Sequence, residues 1–527
     1  MSRYLLAGTS RTLWLALLGA GALLKLWMVA EVELGKDEAA YWFWGQHLDA
    51  TYALLPFSIF KLAHLLHPGS EWFLRLGSVL CGVASAVLIY HLCRRHGLER
   101  SLCLWATAIF ATSHWIWHTT SYLHPDGFLV TCWLLALWLA RRSIAKPSPA
   151  LYAGMGTAAG LAMLSKYSGA FLAMGLFIWL LATTPRPERA RALLCYTLPG
   201  ALVAAPLLYA QLSTGFFLPT TLGTLSQIAS QPVWRLPLFL LDPLLFVSPL
   251  LLWLLCRAFA RSLGQLRRQP SPELLLAVVP ALLVLIAFGF FALYRGQIKG
   301  NWILPAFLGL WPWAFERAKL PARHTRFMAA TLLAGLLLTL PIGVALRYPA
   351  LAQNLGEVLT SEALNASYVH LVSAEDRQRE PSYSWSERVG EYGGWQAMAD
   401  DLEQVLAREG IPPSVPLLSS QYGIVFAMAY YDRTGRPCFT VDDPRFRFLT
   451  DFHEQAGPSL PDAALLMLRA GTPLPHSLQL VFPRHQLLVS LPRTAPGCAS
   501  MLYHVFLLQP GPPVEGVTVE RVQGEGD

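Results

Sequence analysis

Carboxylates and cations near the ends of apolar segments are the residues of this chain that could do chemistry. Asp37 and Glu38 stand in "LGKDEAAYWFWGQHLD" (34–49), just past the first apolar run, and Asp126 stands in "SYLHPDG" (121–127). Carboxylates at such positions can orient or deprotonate a nucleophile. Each acid taken alone could equally cap the helix that follows it.

Three cations occupy comparable positions at other helix ends. Lys166 stands in "LSKYSG" (164–169), and Arg295 and Lys299 stand in "YRGQIKGN" (294–301). One such cation usually extends its charged group to the membrane surface. Several together can neutralise a phosphate leaving group. Acids and cations combined therefore predict a two-part site. Together with the nearby aromatic rings, this combination fits sugar transfer from a membrane-bound lipid phosphate.

Aromatic side chains accompany these charged residues. Their rings suit the apolar face of a sugar or a lipid chain, although Trp and Tyr also belong at membrane interfaces. The candidate sugar- or lipid-binding residues are Tyr41, Trp42, Trp44, His124 and Tyr167. Paired carboxylates can attract a divalent metal ion, but no ligand spacing requires one. No cofactor is predicted with certainty.

Composition shows what must position these residues. The chain is 54% hydrophobic and 14% charged, with a mean hydropathy of +0.42, which is typical of a membrane protein. A spanning helix needs about 20 apolar residues. The predicted spans are 12–31, 76–93, 101–121, 125–140, 150–165, 167–183, 192–212, 238–256, 273–294, 302–315 and 327–346. The fold class is therefore a polytopic α-helical membrane protein with about eleven transmembrane helices, of which 150–165 and 302–315 could be tilted, broken or partly interfacial.

The basic residues predict the orientation. Loops rich in Lys and Arg prefer the cytoplasm, and the dense basic clusters all fall on one side when the N-terminus is inside. These clusters are 94–100, 141–146, 186–191, 257–268 and 317–326. Much of the net charge of +7 is thus an orientation signal, and no nucleic-acid motif accompanies it. The candidate acids and cations lie on the opposite, outer side.

The chain changes character after residue 347. "WQAMADDLEQVLAREG" (395–410) predicts an amphipathic helix ended by Gly410, and residues 421–431 have a helical pattern. Strand-like runs follow at "CFTV", "ALLMLRA", "LQLVF" and "MLYHVFLL". We predict a transmembrane domain at 1–347, with its first outer loop at 32–75, and a C-terminal soluble α/β domain at 348–527 outside the membrane. Cys438 and Cys498 could form a disulfide there.

The motifs resemble a known group of enzymes. "DEAAYWFWGQHLD", "HPDGFL", "LSKYSGAFL" and "KGNWILPAFLGL" are similar to segments of bacterial GT-C superfamily glycosyltransferases, of the aminoarabinose-transferase-like and protein-mannosyltransferase-like families. The similarity covers most of residues 31–315. Many relatives continue with a His-Pro-Pro segment where this chain reads "LDATYALLPFSIF".

The resemblance implies inverting transfer from a polyprenyl-phosphate sugar to an acceptor in the cell envelope, at the outer face of the bacterial inner membrane. Asp37 would engage the acceptor hydroxyl with support from Glu38, Asp126 would be a second acid, and Lys166 would lie near the donor phosphate. Aminoarabinose, galacturonic acid and mannose all fit the donor. Lipid A or its core sugars, another surface glycan, or a protein fit the acceptor.

Two other classes of protein remain open. A membrane transporter or flippase for a lipid-linked sugar would also use charged residues and broken helices, but would be expected to show an inverted repeat and acids buried within its spans. No clear repeat occurs, and the unusual charges gather at one face. A non-catalytic scaffold predicts that Asp37 and Asp126 can be replaced without consequence.

Overall fold

Two compact units make up the protein. The computed structural model describes residues 2–48, 52–214, 242–295, 300–316, 323–348, 392–442, 452, 461–494 and 500–511. The first unit comprises Met1–Glu31 and Trp44–Arg347, and the second comprises Val32–Phe43 and Tyr348–Asp527. The acidic segment 32–43, assigned from sequence to the first outer loop of the transmembrane domain, thus groups with the second unit.

Helices account for almost all regular structure in the described residues before residue 348. They are α1 Ser2–Val29, α2 Lys36–His47, α3 Leu54–Leu66, α4 Glu71–Arg95, α5 Arg100–Thr112, α6 His114–Thr119, α7 Pro125–Ala145, α8 Pro149–Ser165, α9 Gly169–Thr183, α10 Arg186–Thr214, α11 Pro249–Arg268, α12 Pro272–Arg295, α13 Trp311–Ala314 and α14 His324–Arg347. Among the described residues, five helices (α4, α7, α10, α12 and α14) are long and apolar enough to cross a membrane. The chain is therefore a multi-pass helical membrane protein.

Three predicted spans are interrupted. In the span predicted at 238–256, a 3₁₀ turn at Asp242–Leu245 precedes α11, which starts only at Pro249. Residues 302–315 form 3₁₀ turns at Gly300–Trp302 and Leu304–Phe307 followed by the four-residue α13. Pro305 and Pro312 lack the N–H that a continuous helix needs. The predicted span 101–121 breaks at Ser113, whose backbone is extended and whose hydroxyl bonds to the Phe110 carbonyl at 2.8 Å.

Helices α8 and α10 pack closely through glycine. A Cβ at Gly156 would collide with the carbonyl oxygen of Tyr196, and one at Gly160 would lie 2.6 Å from the carbonyl oxygen of Gly200. Small residues four apart let two helix backbones approach in an apolar environment, where burial of apolar surface gives no driving force for packing. The predicted span 150–165, which could have been broken, is the continuous helix α8, and it packs against α10 through these glycines.

A methyl group at Gly156 should therefore destabilise the first unit. We expect Gly156→Ala to cost about 1–3 kcal/mol because the helices must separate. Gly264→Ala is the matched control, since a Cβ there meets nothing within 4 Å and Ala favours a helix by up to about 1 kcal/mol. Thermal unfolding in detergent measures both. Equal melting temperatures for the two variants would contradict the packing argument.

The second unit contains a five-stranded mixed sheet. In the described residues of this unit, the strands are β1 Leu417–Ser419, β2 Cys438–Thr440, β3 Ala464–Arg469, β4 Arg484–Arg493 and β5 Met501–Gln509, and the helices are α15 Trp395–Arg408, α16 Tyr422–Tyr431 and α17 His476–Val481. The strand order is β2-β1-β3-β5-β4, parallel among β2, β1 and β3 and antiparallel for the last two pairs. Gly410, with a φ of +69°, follows α15 as expected.

One predicted strand is wrong. "LQLVF" (478–482) lies mainly in α17, because its buried residues, Leu478 and Phe482, are four apart while Leu480 is 45% exposed. That spacing is helical. Two strands were missed. β1, Leu417–Ser419, has only three residues, which is too short for a strand pattern, and β4 is an edge strand with mostly exposed side chains, so its sequence lacks the apolar alternation. Cys438 is buried, whereas Cys498 lies outside the described residues.

Candidate active site

A buried ion pair joins two of the motifs in the first unit. The Lys166 ammonium donates to Asp126 Oδ1 at 2.5 Å, and the Asn301 amide donates to Asp126 Oδ2 at 3.0 Å. Asp126 is 1% exposed and the Lys166 side chain is 15% exposed. The Lys166 ammonium also lies 5.8 Å from the centroid of the Trp302 ring. Both oxygens of the Asp126 carboxylate therefore accept a hydrogen bond, while the Lys166 side chain remains partly accessible to solvent.

Local sequence places these groups. His124 is the N-cap of α7, where its Nδ1 accepts from the Asp126 N–H at 3.1 Å, and Pro125 starts the helix. Proline suits that position because no intrahelical partner is lost. Lys166 ends α8 in an extended conformation, and a Cβ on Gly169 would collide with the backbone of Ala162. The glycine of "LSKYSG" thus permits the tight α8–α9 turn.

An aromatic cluster in the first unit contains two of the predicted sugar- or lipid-binding residues. Tyr52 packs its ring 5.8 Å from Trp44 and 5.2 Å from Tyr167. Trp44 also stacks on Phe57 at 5.6 Å. The Tyr167 hydroxyl accepts from the Gln211 amide at 3.0 Å, which fixes the orientation of its ring.

Asp37 and Glu38 differ in their surroundings within the second unit. Glu38 is 3% exposed, and its Oε2 accepts from the Gly35 N–H at 3.2 Å. This is half of a capping box, in which the third helical residue reaches back to the N-cap backbone. Asp37 is exposed, and its Oδ1 accepts from the Tyr422 hydroxyl at 2.7 Å. The structure thus separates a capping acid from an accessible one.

The residues around this pair are anchored within the second unit. Glu33 accepts from the backbone N–H of Trp395 at 2.7 Å and supplies the cap that Gly394, the N-cap of α15, cannot. The Leu34 N–H donates to the Tyr431 hydroxyl at 2.7 Å. Trp42 is 8% exposed and packs edge-on against Tyr430 at 4.9 Å. Burial favours a packing role for Trp42.

The structure says less about the surroundings of the remaining predicted site residues. Tyr41 is half-buried on α2. Arg295 ends α12, but its side chain, like the whole of Lys299, lies outside the described residues. Neither Asn301 nor Tyr422 was predicted from the sequence as a site residue. Asn301 stands within the "KGNW" motif, which was a usable signal, whereas nothing local marked Tyr422.

No cluster suited to a metal ion occurs in the part of the chain that the structure describes. There, no three His, Cys, Asp or Glu side chains lie together as ligands. Asp126 has its two oxygens occupied by Lys166 and Asn301. The residues present do not fit a divalent ion at this carboxylate.

Known proteins share sequence with parts of this chain. Residues 52–211 match the family described as Dolichyl-phosphate-mannose-protein mannosyltransferase. The lipid A galacturonosyltransferase RgtD of Rhizobium johnstonii is 27% identical over 177 residues, which cover 33% of this chain and 37% of that protein. The aligned region is thus little more than a third of the length of that curated relative.

Solved structures share the fold over nearly the whole chain. ArnT from Cupriavidus metallidurans bound to undecaprenyl phosphate superimposes with a TM-score of 0.62 at 15% identity, covering 94% of this chain and 98% of that one. The apo state of the same protein gives a TM-score of 0.61 at 15% identity, with the same coverage. The fold expected from the resemblance to aminoarabinose-transferase-like GT-C proteins, which was inferred from four short motifs, is confirmed.

Proposed function

We propose that this chain, an aminoarabinose-transferase-like protein of the GT-C type, is an inverting glycosyltransferase of the bacterial inner membrane. It would move a sugar from a polyprenyl-phosphate donor to lipid A or another envelope acceptor, with residues 348–527 on the periplasmic side. The similarity to a lipid A galacturonosyltransferase and the fold shared with ArnT support this proposal.

The observation that carries the proposal is the Lys166–Asp126–Asn301 arrangement. A cation held by a buried carboxylate keeps a fixed position, so little reorganisation is needed when it meets a phosphate. The Trp302 ring lies 5.8 Å from the ammonium, and an apolar neighbour lowers the local dielectric constant, which strengthens electrostatic attraction. We assign Lys166 to the leaving phosphate and Asp126 and Asn301 to positioning it. Arg295 and Lys299 remain candidates for the same phosphate.

Asp37 is the proposed base. Its carboxylate would accept the proton of the acceptor hydroxyl as that oxygen forms a bond to C1 of the sugar. The bond between C1 and the phosphate oxygen breaks at the same time, and polyprenyl phosphate leaves with its electron pair. Attack opposite the leaving group inverts the anomeric configuration. Exposure of Asp37 supports this role, whereas burial of Glu38 supports helix capping.

A transfer assay in proteoliposomes tests the proposal. The protein is given polyprenyl-phosphate aminoarabinose, galacturonic acid or mannose, with lipid A as acceptor, and both glycosylated lipid A and released polyprenyl phosphate are measured. One donor should be consumed only when acceptor is present. Movement of intact donor between leaflets without cleavage would instead support the transporter or flippase.

The two adjacent acids should respond differently to substitution. We expect Glu38→Gln to retain transfer within about threefold, because Gln also completes a capping box. Glu38→Ala should lower stability by about 1 kcal/mol through loss of the cap. Transfer and thermal unfolding are measured on both variants. A loss of more than a hundredfold in folded Glu38→Gln would assign the chemistry to Glu38.

A further inference from the structure

Tyr422 connects the acidic segment to a helix far along the sequence. Its hydroxyl donates to Asp37 Oδ1 at 2.7 Å across 385 residues. Tyr422 is the first residue of α16, so the helix fixes its backbone. Its ring is half-buried, which limits the rotamers that its hydroxyl can sample.

Further contacts pack the acidic segment against α16, and the first two lie directly beside Tyr422. The Lys36 ammonium lies 5.9 Å from the centroid of the Tyr422 ring. A Cβ on Gly423 would approach the Lys36 Cβ to 2.9 Å, so the glycine allows close contact. At the other end of α16, the Tyr431 hydroxyl accepts from the Leu34 N–H. The Phe43 ring packs 5.0 Å from Phe426.

We propose that Tyr422 is a positioning residue that orients the carboxylate of Asp37 for proton acceptance. This inference rests on the proposed function, in which Asp37 is the base. An aspartate near a helix N-terminus can rotate towards free backbone N–H groups and become a cap. The Tyr422 hydroxyl holds Oδ1 and thereby selects the rotamer of the whole carboxylate. This role for Tyr422 also gives the C-terminal residues a part in the reaction.

Only the transition state should depend on this hydroxyl. Proton transfer requires the base within hydrogen-bond reach of the acceptor hydroxyl, and small displacements are costly in rate. Substrate binding does not require the proton to move. Loss of the hydroxyl should therefore lower kcat while KM for donor and acceptor stays unchanged.

The test compares Tyr422→Phe with Tyr431→Phe in the full-length protein. Each substitution removes one hydroxyl from α16. The first removes the bond to the Asp37 carboxylate, whereas the second removes a bond to the backbone of the same segment. The Phe426 ring, 6.2 Å from that of Tyr422, keeps its neighbour in Tyr422→Phe, so folding should be preserved. Thermal unfolding in detergent checks that it is.

We expect kcat of Tyr422→Phe to fall about tenfold, the lower end for a hydrogen bond to a charged group, with both KM values unchanged. Tyr431→Phe should keep its kcat within about twofold if it folds. Unchanged kcat in Tyr422→Phe, or equal losses in the two folded variants, would overturn the positioning role. If Tyr422→Phe does not fold, the hydroxyl is structural and the proposal is likewise overturned. Absence of transfer by the wild type would be a failure of the proposed function instead.

Discussion

Replacing Asp37 by Asn is expected to lower the rate of sugar transfer by about 10²–10⁴-fold, the usual contribution of general base catalysis. Asn has nearly the shape of Asp, and its amide oxygen can still accept from the Tyr422 hydroxyl. It cannot accept the acceptor's proton. The loss should therefore appear in kcat, with the binding of undecaprenyl phosphate unchanged.

A matched control separates this effect from a general loss of negative charge. Asp400, exposed on α15 of the second unit, accepts only from the Gln396 side chain among the hydrogen bonds described, at 2.9 Å. Asp400→Asn should transfer sugar at the wild-type rate. If Asp37→Asn does so too and is folded, Asp37 is not the base, and the base must be sought at Glu38 or Asp126.

The sequence was sufficient to identify those side chains of the candidate site that lie in short motifs. Asp126 and Lys166 lie in short motifs at helix ends, where charged residues are unusual enough to be noticed, and the structure brings them to 2.5 Å. The helical spans could be predicted from apolar runs because most are continuous. Run length alone was misleading at 101–121, which breaks at Ser113, and at 302–315, where short 3₁₀ turns replace a continuous helix.

The sequence could not divide Asp37 from Glu38. Neighbouring positions on a helix are separated by about 100°, so which acid is buried depends on what the helix packs against. Here the packing surface comes in part from α16, and contacts such as Tyr422–Asp37 join residues that no local pattern connects. The "KGNW" motif marked the position of Asn301, but its bond to Asp126, 175 residues away, could not be predicted from the sequence.

Substitutions in the buried Lys166–Asp126 pair should separate its contribution to stability from its contribution to activity. Lys166→Met leaves Asp126 buried without its counter-ion, which is expected to cost about 3–5 kcal/mol of stability. Adding Asp126→Asn removes the uncompensated charge, and the Asn301 amide can still donate to the new amide oxygen. We expect the double variant to recover most of the melting temperature in detergent.

Recovered stability should not restore transfer. If Lys166 meets the leaving phosphate, its loss should lower kcat by about 10²–10³-fold, in the double variant as in the single one. Undecaprenyl phosphate should also raise the melting temperature of the wild type but not of the double variant, because only a ligand that binds the folded state stabilises it. A double variant that is stable, binds the lipid phosphate and transfers normally would reduce Lys166 to a structural partner of Asp126. The phosphate would then have to be met by other cations, of which Arg295 and Lys299 are the first to replace.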